Sequence, residues 1–173
     1  MKLLRFGPAG FEKPGLLDAD SQIRDLSGVI GQLDAEQLSP AQLKKLHGIA
    51  VGALPVVSGS PRLGTPYQGI GKFIAVGLNF SDHAAEAGMP VPSEPVIFMK
   101  ATSCIIGPND AVMLPKDSQK TDWEVELAIV VGREARDISA AEAADHIFGY
   151  VCVNDISDRT TQVDEEEIGR AHV

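Results

Sequence analysis

A stretch rich in glycine, proline and serine divides the sequence into two unequal parts. It reads SGSPRLGTPYQGIGK, from Ser58 to Lys72. Such residues interrupt helices and strands, because glycine tolerates turn conformations and proline lacks a backbone donor. We therefore predict a small N-terminal domain over residues 1–62, a linker over residues 63–72, and a larger domain over residues 73–166.

The part before the linker predicts a small α+β domain. KLLRF, PGLLDA and QIRDLSG are short apolar runs bounded by turn residues, which is typical of short strands. AQLKKLHGIA has the apolar spacing of a helix. Ser39 before it is a preferred N-cap, and Pro40 fits the first helical position, so we expect the helix to begin there.

The part after the linker is dominated by predicted strands. FIAVGL, PVIFMK, AVMLP, VELAIVVG and FGYVCVNDI are longer apolar runs, which we expect to be buried. Short helices are predicted in SDHAAEAG, ending at Gly88, and in SAAEAADHI, where Ser139 and Glu142 have capping-box spacing. The predicted fold class is therefore α+β and mainly β.

Composition narrows the classes of function. The 173 residues carry a formal net charge of −9, which disfavours binding to nucleic acid or to anionic membranes. No apolar run approaches the roughly 20 residues that span a bilayer. Glycine and proline interrupt the first residues before a signal-peptide core could form, so we expect a cytoplasmic protein. Cys104 and Cys152 lie in apolar runs and are expected to be buried, reduced and inert thiols.

Three carboxylates suggest a site for a hard cation. Glu124 and Glu126 are two residues apart on a predicted strand and so point to the same face. Asp155 ends another predicted strand. Carboxylate oxygens suit Mg²⁺ or Mn²⁺, and the sequence offers no Cys/His cluster that would favour zinc. The alternative is a strand with one solvent-exposed face, the commoner origin of an isolated E-x-E pattern.

A histidine and a glutamate form a second candidate group. His83 and Glu86 are three residues apart on a predicted helix and therefore share a face. A carboxylate that orients the imidazole leaves the other ring nitrogen to accept a proton from water. The alternative is an ordinary solvated pair on a helix surface.

Four segments, in this order, resemble the fumarylacetoacetate hydrolase superfamily: GLNFSDHAAEAG, EPVIFMKATSCIIGPND, DWEVELAIVVGR and VNDISDRTTQ. The resemblance covers about Ile70 to Gln162. The first residues resemble the small N-terminal domain of bacterial members labelled as diketo-sugar-acid hydrolases or ureidoglycolate lyases. This resemblance implies a mixed β-sandwich roll after the linker, a soluble enzyme, and a homodimer.

The resemblance also implies roles for individual residues. It assigns Glu124, Glu126 and Asp155 as ligands of Mg²⁺ or Mn²⁺, His83 and Glu86 as the pair that activates water, and Arg159, Gln162 and Lys100 as substrate-binding residues.

The implied reaction is hydrolysis of a C–C bond in a small 2-oxo acid such as an acylpyruvate or diketo acid. A lyase, a decarboxylase acting on a substrate such as oxaloacetate, or an isomerase would use the same scaffold. A third alternative is a non-catalytic fragment.

The end of the sequence departs from the family pattern. A lysine-containing segment that the family places after Gln162 is absent, so we expect the catalytic domain to be truncated and the fragment inactive. The last seven residues, EIGRAHV, have no apolar pattern and match one reading frame of a common sequencing adapter. We expect residues 167–173 to be a non-native tail.

Overall fold

Strands dominate the structure, a computed structural model that describes residues 1–37, 39–86 and 88–161. Within that part there are nine strands, two α-helices and three short 3-10 helices. Every strand pairing there is antiparallel. The predicted α+β, mainly β fold class is confirmed.

The chain forms two compact units, each built from segments that are distant in sequence. The first unit contains residues 1–69, 106–111 and 125–154. The second contains residues 70–105 and 112–124 and the described residues from Asp155 onward. The domain boundaries derived from the sequence, at residues 62 and 73, remain predictions.

A three-stranded sheet begins the first unit. Strands β1 (Lys2–Phe6), β2 (Lys13–Leu17) and β3 (Ile23–Asp25) pair in the order β1-β2-β3, as the short apolar runs predict. Gly15 lies in a tight space in the middle strand. An added Cβ there would lie 3.0 Å from the carbonyl oxygen of Arg24 and 3.0 Å from two side chains of β1.

The helix of the first unit completes a small apolar core. Helix α1 (Pro40–His47) begins as predicted, and the Ser39 hydroxyl accepts a hydrogen bond from the backbone N–H of Gln42 at 3.4 Å. Its Leu46 is 1% exposed. Side chains of one helix, one strand and the loop after β3 form the buried cluster. It consists of Leu16, Leu26, Ile30, Leu33 and Leu46.

A two-stranded ribbon also belongs to the first unit. The ribbon pairs β7 (Val125–Val131) with β8 (Ile147–Asn154), and their register is irregular between Val130 and Val131. Phe148 packs against the buried cluster.

The outward face of β7 is apolar and exposed. Alternate residues of the strand are 55–65% exposed: Val125, Leu127, Ile129 and Val131. The prediction that this strand is buried is therefore wrong. Period-two alternation turns every second side chain to one face, and the described part of the first unit leaves that face exposed.

The second unit contains two further strand pairs and a short helix. Strand β4 (Phe73–Gly77) pairs with β5 (Val96–Lys100), and β6 (Thr121–Asp122) pairs with β9 (Ser157–Asp158). Helix α2 (Ser81–Glu86) lies where it is predicted, and Gly88 adopts the left-handed φ of +65° expected just beyond a helix. β4 and β5 also expose apolar side chains, so their predicted burial is wrong as well.

Two predicted elements are absent or shorter. AVMLP forms no strand, because an apolar run needs a partner for its backbone groups and it pairs with none in the described part of the chain. SAAEAADHI forms only a 3-10 turn over Ala143–His146. The predicted contact is present, since the Glu142 carboxylate accepts the Ser139 N–H at 2.8 Å. With most of this segment exposed, no buried face supports a longer helix.

Both cysteines are free thiols, as predicted. Their expected burial is wrong, because Cys104 is half-buried and Cys152 lies on an exposed position of β8. No helix among the described residues is long and apolar enough to cross a membrane.

A buried carboxylate ties three segments of the first unit together. Glu12 is 7% exposed and accepts hydrogen bonds from Arg5 at 3.2 Å and from Arg62 at 2.8 Å. Arg62 also binds Asp110 through two nitrogens, at 2.6 and 2.5 Å. The hydrogen bond from Arg62 lowers the pKa of Glu12 below its ordinary value, although burial opposes this effect.

We predict that truncating the buried cluster destabilises the first unit and that truncating the exposed face of β7 does not. Leu16→Ala should lower the free energy of unfolding by about 2–5 kcal/mol, because it leaves a cavity. Leu127→Ala should change it by less than about 0.5 kcal/mol, because the side chain is 65% exposed. Urea unfolding followed by circular dichroism measures both, and equal losses would contradict this description of the core.

We also predict that Glu12 makes the first unit acid-sensitive. A folded-state pKa below the unfolded value gives stability that is present above the unfolded pKa and is lost as the pH falls through the folded pKa. Wild-type stability should therefore fall more steeply than that of Glu12→Gln between about pH 5 and pH 3. The exposed Glu36→Gln is the matched control and should follow wild type. Parallel curves for all three chains would argue against the role of Glu12.

Candidate functional site

Two of the predicted metal ligands meet in the second unit. The antiparallel pairing of β6 with β9 places Asp122 opposite Ser157. The residues that follow Asp122 therefore lie beside the residues that precede Ser157. The backbone N–H of Asp155 donates to the carbonyl oxygen of Glu124 at 2.7 Å. Two residues that are 31 positions apart in sequence thus lie next to each other along the backbone.

A buried lysine contacts the Asp155 carboxylate. Lys100, the last residue of β5, is 5% exposed, and its ammonium group forms an ion pair with Asp155. The Asp155 side chain is itself only 12% exposed. Because a charge removed from water is costly without a counter-charge, this pairing is a requirement of the buried position.

An arginine contacts the Glu124 carboxylate. The Arg159 guanidinium forms ion pairs with Glu124 and with Asp122, the latter at 3.2 Å. Its backbone N–H donates to the carbonyl oxygen of Lys120 at 3.0 Å. Arg159 and Lys100 were predicted as substrate-binding residues, and the structure brings both of them to the predicted metal ligands.

A buried aspartate anchors the segment that carries these residues. Asp158 is 4% exposed and accepts hydrogen bonds from the Ser118 hydroxyl at 3.0 Å, the Thr161 hydroxyl at 2.9 Å and the Thr160 N–H at 3.3 Å. Burial raises the pKa of Asp158, but these hydrogen bonds outweigh it and lower the pKa overall. The sequence interpretation missed Asp158. Its signal is the D-x-T-T pattern, because aspartate commonly accepts a hydrogen bond from the backbone N–H two residues later.

The third predicted metal ligand belongs to the first unit. Glu126 is half-buried in β7, where it lies opposite Val153 of β8. Its role as a ligand remains a prediction. Gln162 and the expected tail, residues 167–173, lie outside the described residues.

The predicted water-activating pair lies on α2. His83 and Glu86 are both exposed, and Ala84 is the buried residue that fixes the helix. Orientation of the His83 ring by Glu86 remains a prediction.

The arrangement of donors bears on metal binding. Among residues 1–37, 39–86 and 88–161, no three His, Cys, Asp or Glu side chains are grouped so as to hold a metal ion. Glu124 and Asp155 are instead engaged by protein cations. Their donor atoms are carboxylate oxygens, which fit Mg²⁺ or Mn²⁺ better than zinc.

We predict that Asp158 holds the segment from Asp155 to Thr161 in place. Asp158→Ala should leave the Ser118 hydroxyl and the Thr160 N–H without their acceptor, and amide hydrogen exchange of residues 157–161 should become faster. The exposed Asp145→Ala is the control and should leave exchange there unchanged. Unchanged exchange in Asp158→Ala would show that this aspartate is not an anchor.

Comparison with known proteins identifies the family. Residues 72–172 match the sequence model described as fumarylacetoacetate (FAA) hydrolase C-terminal. A Burkholderia lata protein that is named as a hydrolase is 56% identical over 164 residues, covering 95% of this chain and 58% of that protein. The chain therefore spans less than two thirds of the length of this relative.

Solved structures show the same relationship. Fumarylacetoacetate hydrolase from Exiguobacterium antarcticum matches 99% of this chain and 61% of its own, with a TM-score of 0.77 and 29% identity. A 2-hydroxyhepta-2,4-diene-1,7-dioate isomerase from Mycobacterium marinum matches 99% and 60%, with a TM-score of 0.68 and 27% identity.

A maleylpyruvate hydrolase from Sphingobium sp. SYK-6, solved in complex with manganese(II) and pyruvate, matches 92% of this chain and 60% of its own, with a TM-score of 0.74 and 25% identity. Since the family sequence model alone matches more than half of the 173 residues, the chain belongs to the fumarylacetoacetate hydrolase family.

Proposed function

We propose that this chain supplies the metal ligands and substrate-binding cations of an enzyme that hydrolyses a C–C bond in a small 2-oxo acid, such as an acylpyruvate or diketo acid. The observation that carries the proposal is the backbone hydrogen bond from Asp155 to Glu124, which makes the two residues neighbours, with Lys100 paired to Asp155 and Arg159 paired to Glu124. A metal-dependent site for a 2-oxo acid needs anionic oxygens that bind the metal and cationic side chains that bind the substrate carboxylate.

Glu124 and Asp155 are the proposed ligands of Mg²⁺ or Mn²⁺, together with Glu126. Support for Glu126 comes from its position two residues after Glu124 and from the resemblance to the family. The bound ion would supply Lewis-acid polarisation of the substrate's oxo group. The manganese in the similar maleylpyruvate hydrolase supports the choice of a divalent cation.

Arg159 and Lys100 are the proposed partners of the substrate carboxylate. A planar guanidinium suits a carboxylate because it can donate two parallel hydrogen bonds, and the ammonium of Lys100 adds a second positive charge. Both groups now pair with protein carboxylates, so a substrate carboxylate would replace a partner of the same chemistry. We assign Gln162 to the same task.

His83 and Glu86 are the proposed acid–base pair. Glu86 would orient the ring, and His83 would take a proton from the water that attacks the carbonyl beside the breaking bond. Their exposure on α2 gives them access to solvent water. Exposed side chains of a short helix are also free to adopt another position when substrate binds.

Isomerisation is the second candidate, since a solved isomerase matches 99% of this chain. A lyase or decarboxylase would need the same ligands, because each reaction passes through negative charge on the 2-oxo group.

We also propose that the protein forms a homodimer, which sedimentation velocity would test. We propose in addition that it is cytoplasmic and has no nucleic-acid or membrane partner.

We predict that divalent metal binding depends on the carboxylate pair. Calorimetric titration of the chain with Mn²⁺ should show binding that is at least about tenfold weaker in Glu124→Gln and in Asp155→Asn, because each removes a charged oxygen ligand. Glu94→Gln, at an exposed position, is the control and should bind as wild type does. Equal affinity in all four chains would contradict the assignment.

A product panel on a chain extended to the full length of the Burkholderia lata relative separates the reactions. Pyruvate released from an acylpyruvate without CO₂ indicates hydrolysis, CO₂ from oxaloacetate indicates decarboxylation, and an absorbance shift of a dienoate without cleavage indicates isomerisation. For any of them, His83→Ala should lower kcat by about 10²–10⁴-fold. Turnover that persists in Asp155→Asn would rule out the proposed role of the metal.

A further inference from the structure

A cavity of about 470 Å³ lies within the first unit. Its walls come from the start of β1, from α1, from two loops and from the ribbon of β7 and β8. This volume is in the range of pockets that hold small molecules. No residue of the proposed catalytic site lines the cavity. Most of its lining is apolar and includes Leu3, Leu33, Leu43, Val130, Phe148 and Val151.

In the described part of the chain, basic side chains and no acidic ones line this cavity. The basic residues are Lys2 and His47, which are exposed and therefore lie where the cavity meets solvent. This selection is notable in a sequence with 24 acidic residues against 15 lysines and arginines. The charges at the cavity thus favour an anionic ligand over a cationic one.

A tyrosine adds a hydrogen-bond donor to the lining. Tyr67 lines the cavity and is half-buried. Burial, and to a smaller extent Asp34, raise the pKa of its phenol above the ordinary value. The phenol therefore keeps its proton at neutral pH and can donate a hydrogen bond to an anionic oxygen.

An apolar lining with basic side chains matches a ligand that has both an apolar body and a negative charge. We propose that this cavity binds an organic anion with an aromatic or aliphatic body, and that Lys2 and His47 pair with the negative charge. Withdrawal of the apolar body from water favours binding, and the basic residues select the anion over a neutral molecule of the same shape. The site shares no residue with the proposed function, so either assignment can fail alone.

Strand β8 offers a way to fill the cavity. Gly149 lines it, and an added Cβ at this position would meet no atom within 4 Å. Val130 is the partner of Gly149 across the ribbon and also lines the cavity. Because residues directly opposite each other in an antiparallel pair share a face, a larger side chain at position 149 would extend into the cavity.

The charge requirement is tested with two fluorescent probes of nearly the same shape. 8-Anilinonaphthalene-1-sulfonate is an aromatic anion, and N-phenyl-1-naphthylamine is its neutral counterpart without the sulfonate. The double variant Lys2→Gln/His47→Gln should bind the sulfonate about tenfold more weakly than wild type, because hydrogen bonds to a charged group are lost. It should bind the neutral probe as wild type does. Lys44→Gln removes a charge of α1 outside the lining and should bind both probes as wild type does.

The location is tested by filling the cavity. Gly149→Leu should bind both probes at least about tenfold more weakly, because close packing leaves no room for both the leucine and the probe. Gly71→Leu adds the same side chain in open space outside the cavity and is the matched control. Leu127→Gln removes an apolar side chain from the exposed face of β7 and should also leave binding unchanged.

Several results would overturn the assignment. They are absence of sulfonate binding by wild type, an equal loss of both probes in the double variant, and unchanged binding in Gly149→Leu. Weaker binding in Leu127→Gln would place the probes on the exposed face of β7 and overturn it as well. If circular dichroism shows that Gly149→Leu does not fold, Leu43→Trp narrows the cavity from α1 and is held to the same outcomes.

Discussion

Carboxylates withdrawn from water, each with a cationic partner, join segments of this chain that are far apart in sequence. In the first unit, Glu12 accepts hydrogen bonds from Arg5 of β1 and from Arg62, and Arg62 continues to Asp110. In the second unit, Asp155 pairs with the buried Lys100 at the end of β5. Each partner is required because an ionised group that loses water needs a compensating charge. These pairs therefore fix loops that the short strands alone would leave poorly defined.

Local signals predicted much of the fold. The strands β1, β2 and β3 and the start of α1 follow from apolar runs, turn residues and the Ser39 cap, all of which act within a few residues. The burial of the later strands could not be predicted in that way. Alternation along β7 shows that the strand has two different faces, but it does not show whether another layer covers the outer one. AVMLP failed for a related reason, because a strand depends on a partner elsewhere in the chain.

The site was predictable in part. Glu124 stood out through its spacing to Glu126 on a predicted strand and Asp155 as a carboxylate at a strand end, and the structure makes these two residues neighbours through the pairing of β6 with β9. The contact between Lys100 and Asp155 could not be derived from spacing, since it depends on how β5 lies in the second unit. Asp158 was overlooked because the D-x-T-T pattern also occurs in many exposed turns, where the aspartate has only a local structural role.

The position of Glu126 opposite Val153 gives the alignment of one ribbon a chemical consequence. Side chains of a strand alternate between its faces, so slippage of β7 by one residue against β8 would exchange the two sets. Leu127 would then take the place of Glu126, and an apolar group would stand where the sequence provides a carboxylate. Substitutions near the irregularity at Val130 and Val131 could thus remove the proposed ligand Glu126 from its position without changing that residue. For the proposed ligand Glu126, strand alignment therefore matters as much as residue identity.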